Sequence, residues 1–383
     1  MLSKMRLKTL LIVVFVFSIP FIQKVFVKNS AEVDVLFCTY DIGDSNPMKR
    51  VMKELESLSI SYRVLALGKS ADVFRENPNH LSLELPDLMS TRETPLSDDL
   101  LRLIENAVKP KMVIAGMASA GQAQVLNFFK GKGAYTIAFY DNFDSPVGKE
   151  YIQAFLRTVI PIDEYFLPSE TTLPGFQKLD ATKQAKLSVL GQPVLEDWDD
   201  IFAKTDRKEF RSRLGLTEQD QTILFVGGYD DTYAVYFRLF VDAMRAFPDQ
   251  KVIVTYHPKT NGSLEKSIIA EENVANIQVI DGPSTAKVAT IADVLVCHKS
   301  SVGVQALYVG LPVVSVVKKG DLKNFAIDQG LAVSVETEQD LVETLQRILS
   351  AANRNYPPVQ GLGIPKEATK KMGERVKEIL KER

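Results

Sequence analysis

Three places in this 383-residue chain combine residue types that can do chemistry. His257-Pro258 directly follows the apolar run Lys251-Val-Ile-Val-Thr-Tyr256. A histidine at the carboxyl end of a strand can donate a hydrogen bond or positive charge to a phosphate, and the proline would fix the turn behind it. Ser300-Ser301 follows the run Val294-Leu-Val-Cys297 and opens a helix. Serine there is a preferred helix cap, and the same geometry offers amides, a dipole end and two hydroxyls to a phosphate. Gly303 keeps that first turn open to close approach, and Gln305, about a turn further on, is placed to reach a ribose. The third place is Tyr140-Asp141-Asn142, after the run Tyr135–Phe139. A carboxylate at such a strand end can take a proton from an acceptor hydroxyl as a general base; turn chemistry alone would also account for it.

Two weaker signals border the same region. Gly227-Gly228 ends the run Thr222–Val226 and permits a tight turn and close backbone approach, but no third spaced glycine makes it a dinucleotide fingerprint. Gly43-Asp44-Ser45 reads as a turn into a helix on the acceptor side of a cleft. Asp197-Trp198-Asp199 is the one DxD-like spacing. It lies in a connection and reads as hydrated acids rather than a metal site. Cys38 and Cys297 sit in separate apolar runs and read as small buried residues, with neither a disulfide nor a zinc pattern.

The elements that must hold these residues alternate throughout. Short Val/Ile/Leu/Phe runs without strict alternation suit strands buried on both faces of a parallel sheet. They recur at 33–39, 63–67, 112–116, 135–140, 164–167 and 187–190, then at 222–226, 252–256, 277–280, 294–297, 313–317 and 332–335. Amphipathic helices fall between them, near 46–58, 97–108, 119–131, 147–158, 233–247, 263–272, 301–310 and 337–352, with a charged helix over 366–382. The segment 169–220 is irregular and reads as an inter-domain connection. The fold class is therefore α/β: two sequential Rossmann-like, doubly wound parallel-sheet domains. The first spans 31–195, the second 196–365, and the helix 366–383 packs back on the first. Ligands in such sheets sit beyond the carboxyl ends of the strands, where the chemical residues lie.

Composition narrows the classes. Lys plus Arg is 46 and Asp plus Glu is 48, a net charge of -2, with 45% hydrophobic residues. These are ordinary globular values without the basic footprint of a nucleic-acid binder. Residues 1–30 stand apart: Lys4, Arg6 and Lys8 precede an apolar run from Thr9 to Ile22. The run is short for a full span and reads as an uncleaved membrane anchor or a cleaved signal. Membrane association with a cytoplasmic body is the expectation, with an exported body as the alternative.

These marks together resemble the two-domain GT-B glycosyltransferases over roughly residues 33–383. The run ending in His257-Pro258, the pair Ile280-Asp281 and the stretch from Ala292-Asp293 through Ser300-Ser301 and Gln305 to Gly310-Leu-Pro312 are similar to the nucleotide-sugar half of such enzymes. Val189-Leu-Gly191-Gln192-Pro193 looks like the Gly-Asn-Pro that often precedes it. The His-Pro and Ser-Ser pairs also resemble bacterial sialyltransferases and other enzymes with CMP- or CDP-activated donors. Many UDP-sugar enzymes carry Glu where Gln305 stands. The resemblance implies a nucleotide-sugar donor (CMP/CDP or UDP type) held by His257, Pro258, Ser300, Ser301, Gly303, Gln305, Gly227 and Gly228. It implies a glycan or lipid-linked acceptor near Gly43, Asp44 and Ser45, and Asp141 as base for an inverting transfer. No metal and no cofactor are called for. The alternatives are a non-hydrolysing nucleotide-sugar epimerase and an exported two-domain solute-binding protein.

Overall fold

The computed structural model describes residues 31–81, 83, 92–257, 259–318, 325–328, 330–350 and 361–383. The amino-terminal apolar run and Pro258 lie outside the described residues. Among those described, no helix is long and apolar enough to cross a membrane.

The alternation seen in the sequence becomes two six-stranded sheets, each wholly parallel. The first joins β1 (Ala31–Thr39), β2 (Tyr62–Ala66), β3 (Val108–Gly116), β4 (Tyr135–Phe139), β5 (Glu164–Leu167) and β6 (Lys186–Val189) in the order β2-β1-β3-β4-β5-β6. The second joins β7 (Thr222–Val226), β8 (Lys251–Thr255), β9 (Ile277–Val279), β10 (Val294–Cys297), β11 (Val313–Val316) and β12 (Val333–Val335) in the order β12-β11-β10-β7-β8-β9. Chain direction across each sheet reverses once, between β1 and β3 and between β7 and β10. Those reversals open crevices at the carboxyl ends of the strands. Phe37, Phe139, Phe225 and Val296 are fully buried, as continuous apolar strands covered on both faces require.

Two of the departures from the sequence reading bear on the site. The first helix starts at Ile42, not near residue 46, and runs to Ser57. Asp41 caps it: its side chain accepts from Gly43 N, while Asp44 at the third helical position reaches back to the cap. Gly43, Asp44 and Ser45 are therefore helix, not turn. The supposed irregular connection also contains a helix, Val194–Lys204, with Pro193 at its cap. Proline suits a helix start, where its missing N–H has no partner to lose. This crossing helix buries Leu195 and Trp198 in the second domain's cluster, with Phe143 from the loop after β4.

The chain crosses back once. Its final helix, Ala368–Lys381, places Met372, Val376 and Ile379 in a cluster with Val35, Phe37 and Phe139 of the first sheet. Arg375 clamps Glu164, which is wholly buried, through Nη2–Oε2 at 2.8 Å and Nε–Oε1 at 3.0 Å.

Candidate functional site

In the first domain, three carboxyl groups gather at the crevice between β1, β3 and β4. Asp44 is 1% exposed. Its oxygens accept from Tyr40 N, Asp41 N and Gln122 Nε2, the last at 2.6 Å. Burial, then the charges of Asp41 and Asp141, hold its carboxyl well above the usual range. Ser45 is likewise buried, its hydroxyl donating to Asp41 O. Asp44 and Ser45 thus build the buried floor beneath the start of the first helix. The groups at the surface are Asp41 and Asp141.

Asp141 follows β4 and is half-buried. A Cβ on Gly43 would fall on its Oδ2, so only glycine lets the first helix approach so closely. Tyr151 donates to Asp141 Oδ1 at 3.0 Å. Gln192 donates from Nε2 to the Asp141 backbone carbonyl at 2.7 Å. Burial and the charge of Asp41 push the Asp141 carboxyl up to about 6, against the opposing pull of Tyr151 and Arg92. Such a value suits a base at neutral pH. Arg92 lies over the rings of Tyr40 and Tyr151, 3.6 Å from Asp41 Oδ2. Asp41, Arg92 and Tyr151 were not singled out from the sequence, and Gln192 entered only as the middle residue of the Gly191-Gln192-Pro193 resemblance. Of the first three, only Asp41 carried a local signal, the Asp-x-x-Asp of a capping box.

In the second domain, His257 follows β8 and packs against Tyr229, ring centroids 4.3 Å apart and planes tilted by 51°. Its Nδ1 accepts from Lys259 N at 3.1 Å, so the neutral ring carries its proton on Nε2. Burial and Lys259 keep its pKa below the ordinary value. His257 is therefore a neutral donor near pH 7, with the Lys259 ammonium supplying charge 3.2 Å from the Tyr229 hydroxyl.

The loop after β10 is tied to the loop after β7. His298, 1% exposed, meets Thr232 Oγ1 through Nε2 at 2.9 Å and Val316 O through Nδ1 at 2.7 Å. This histidine was passed over in the sequence. Its partners lie 66 and 18 residues away, so no spacing revealed it. Ser300 Oγ accepts from Val302 N at 3.3 Å, and Ser301 stands at the cap with no side-chain bond of its own. Its hydroxyl is exposed. Gly303 faces inward: a Cβ there would stand 3.3 Å from Val313 Cγ1. Gly227 and Gly228 are held similarly, against Tyr256 and Tyr233. These three glycines serve packing of their own domain in this structure.

A cavity of about 940 Å³ lies where the domains meet. Asn46 of the first helix, Trp198 of the crossing helix, Ser284, Val302 and Gln305 line it. Gln305 of the donor set thus faces Asn46 of the acceptor side across one space. His257, Ser300, Ser301 and Asp141 do not line this cavity. Asp197 and Asp199, the DxD-like pair, are ion-paired: Asp197 with Arg50, Asp199 with Lys366. Among the described residues no cluster of His, Cys, Asp and Glu has the form of a metal site.

Solved structures carry the same arrangement of two sheets. UDP-GlcNAc 2-epimerase from Neisseria meningitidis, bound to UDP-GlcNAc, superposes with a TM-score of 0.66 over 91% of this chain and 100% of that one, at 13% identity. MurG of Acinetobacter baumannii gives 0.57 over 91% and 98%, at 14% identity. The chain has the GT-B fold. A sucrose-phosphate synthase from Thermosynechococcus elongatus shares it, with a TM-score of 0.53 over 91% and 95% at 14% identity. No family model matches the sequence, and no curated protein matches it. The GT-B fold expected from the residues is therefore present. Nothing in these likenesses singles out the sialyltransferase-like motifs.

Proposed function

We propose that this GT-B protein is a metal-independent enzyme that moves a sugar from a nucleotide-activated donor (CMP/CDP or UDP type) to a hydroxyl of a glycan or lipid-linked acceptor, with inversion. One observation carries the reading: a carboxyl group poised near pH 6, Asp141, stands at the first sheet's crevice in a fold whose other half presents His257 and the Ser300-Ser301 turn at its own strand ends. Asp141 takes the acceptor proton as the acceptor oxygen attacks the anomeric carbon. The bond to the donor phosphate breaks, and charge grows on the leaving oxygen. His257 Nε2–H, the Ser301 hydroxyl and the nearby Lys259 offset that charge. Of this donor set only Gln305, placed toward the ribose, borders the inter-domain cavity. The amino-terminal run would hold the enzyme at the membrane, its body on the cytoplasmic side, in cell-envelope or surface glycan synthesis.

A second reading, nucleotide-sugar epimerisation, is favoured by a specific observation. Epimerisation needs several acid–base groups, and Asp41, Asp44 and Asp141 converge. The epimerase from Neisseria meningitidis also superposes over its whole length. The two readings part on products. Incubation with UDP-GlcNAc alone, in deuterated water, gives an epimer labelled at the inverted carbon if the second holds. Transfer requires an acceptor, releases free nucleotide and is lost in Asp141→Asn; acceptor-independent inversion overturns the first reading.

A further inference from the structure

The inter-domain hinge and the carboxyl cluster meet at one residue. Gln192 is 2% exposed and sits between Gly191 and Pro193, where the chain leaves the first sheet for the crossing helix. Its Nε2 makes the bond to Asp141 O. Its Oε1 is buried and has no hydrogen-bond partner among the described residues. A buried amide with its acceptor unused fills space at a desolvation cost that methionine or leucine would not carry. The bond to Asp141 is what distinguishes this side chain from an apolar one of the same size.

That bond joins two parts whose relative place matters. Gly191 has φ +100°, and a Cβ there would stand 2.5 Å from Pro365 O and 2.8 Å from Ala368 Cβ. The outgoing crossing is thus stacked against the returning one, and residues 191–193 follow any change in how the two lie together. At the other end, Asp141 is gripped between Tyr151 and the Gly43 backbone, so a small shift of its main chain parts it from one or presses it on the other. We infer that Gln192 is a positioning residue that ties Asp141 to the inter-domain hinge, so that the carboxyl group keeps its seat only while the two chain crossings are stacked. The consequence for turnover rests on the reading of Asp141 as the base; the tie itself does not.

The test uses the full chain and two variants. Gln192→Met keeps the volume and removes the donor; Gln192→Glu keeps the shape and replaces the donor by an acceptor. Carbon-13 labelling of the aspartates allows Asp141 to be followed through a pH titration. Asp41 and Asp44 at the first helix, Tyr140 beside it, Tyr151 and Arg92 are the titratable and charged groups that face it, and both variants leave them in place. Wild-type Asp141 titrates near pH 6; Gln192→Met moves it down by about half a unit or more as the carboxyl group leaves its buried seat, whereas the carboxyl group added in Gln192→Glu opposes that fall. Thermal unfolding reports whether each variant is folded. With UDP-GlcNAc as probe, kcat for UDP release falls by about 10²-fold while KM stays within about twofold, because the second domain is untouched. A titration midpoint identical in wild type and Gln192→Met overturns the tie. A moved midpoint with turnover surviving in Asp141→Asn leaves the tie standing and removes the base. An unmoved midpoint with an inactive Asp141→Asn does the reverse.

Discussion

Tyr151 donates its hydroxyl to Asp141 Oδ1 at 3.0 Å from a turn ten residues further along the chain. Burial and the Asp141 charge hold the phenol well above its ordinary pKa, so it stays a donor throughout the working range. Its bond favours the ionised carboxylate, whereas burial and Asp41 oppose it. A base titrating at about 6 loses about tenfold in rate per unit below that pH. Tyr151→Phe removes the favouring bond, so the midpoint of the acid limb rises and activity at neutral pH falls. A pH–rate profile of wild type and variant checks both the position and the direction.

The same group sets a stability dependence of opposite sense to most carboxylates. Its folded value, about 6, lies above the unfolded value near 3.9. The fold therefore prefers the protonated form. Its contribution is full below pH 4 and is lost as pH rises through 6. Asp141→Asn escapes that loss. We expect the variant to be more stable than wild type at pH 7.5 by about 1–2 kcal/mol, after allowing for solvent at a half-buried site, and no more stable at pH 4. Denaturant titrations at the two pH values measure this, alongside lost turnover.

Gly43→Ala asks a steric question of the same cluster. The new methyl would land on Asp141 Oδ2, so carboxyl or helix must give way, at about 1–3 kcal/mol. Nucleotide affinity, a property of the other domain in this account, stays within about twofold while kcat drops at least tenfold.

Arg375 and Glu164 hold the carboxy-terminal helix to the first sheet. Glu164 is wholly buried, and besides Arg375 its hydrogen-bond partners among the described residues are the hydroxyls of Tyr135 and Ser188. Arg375→Met leaves a buried carboxylate without its cation, at a cost of about 3–5 kcal/mol. Replacing both members together, as Arg375→Met with Glu164→Gln, recovers much of that loss, which equilibrium unfolding resolves.

The acids of the crossing helix make a different prediction. Arg50 of the first helix bonds Asp197 and also reaches Asp200 at 3.1 Å and Glu196 at 3.5 Å. Partly exposed pairs of this kind are worth about 1 kcal/mol at most. Arg50→Gln therefore costs little in unfolding, and that little vanishes in 1 M salt, a condition that screens beyond about 3 Å. Chelation with EDTA leaves turnover unchanged, since Asp197 and Asp199 are already taken by Arg50 and Lys366.

Much of the fold was legible because buried parallel strands write themselves as short apolar runs. β5, β7 and β10 and the helix Ser263–Glu272 have the bounds read from the residues alone. What escaped had conflicting local signals or none. Gly43, Ser45 and Pro47 are poor helix formers, so the cap at Asp41 was hidden behind them. Pro193 looked like a break and is a helix start. His257, Ser300 and Asp141 stand just past strand ends, where their order in the chain placed them, and Gln305 lies one turn into the helix that follows Ser301. Arg92, Tyr151, Gln192 and His298 are brought in by contacts across tens of residues, which no periodicity records.

In the proposed reading the second domain holds the phosphate of a nucleotide. Isothermal titration with CMP, CDP, UDP and GDP, on wild type and on His257→Ala, tests it most directly. We expect at least one nucleotide to bind in the micromolar to millimolar range and His257→Ala to weaken it about tenfold. Heat signals absent for all four at millimolar concentration, or an affinity the same in the variant, would contradict it.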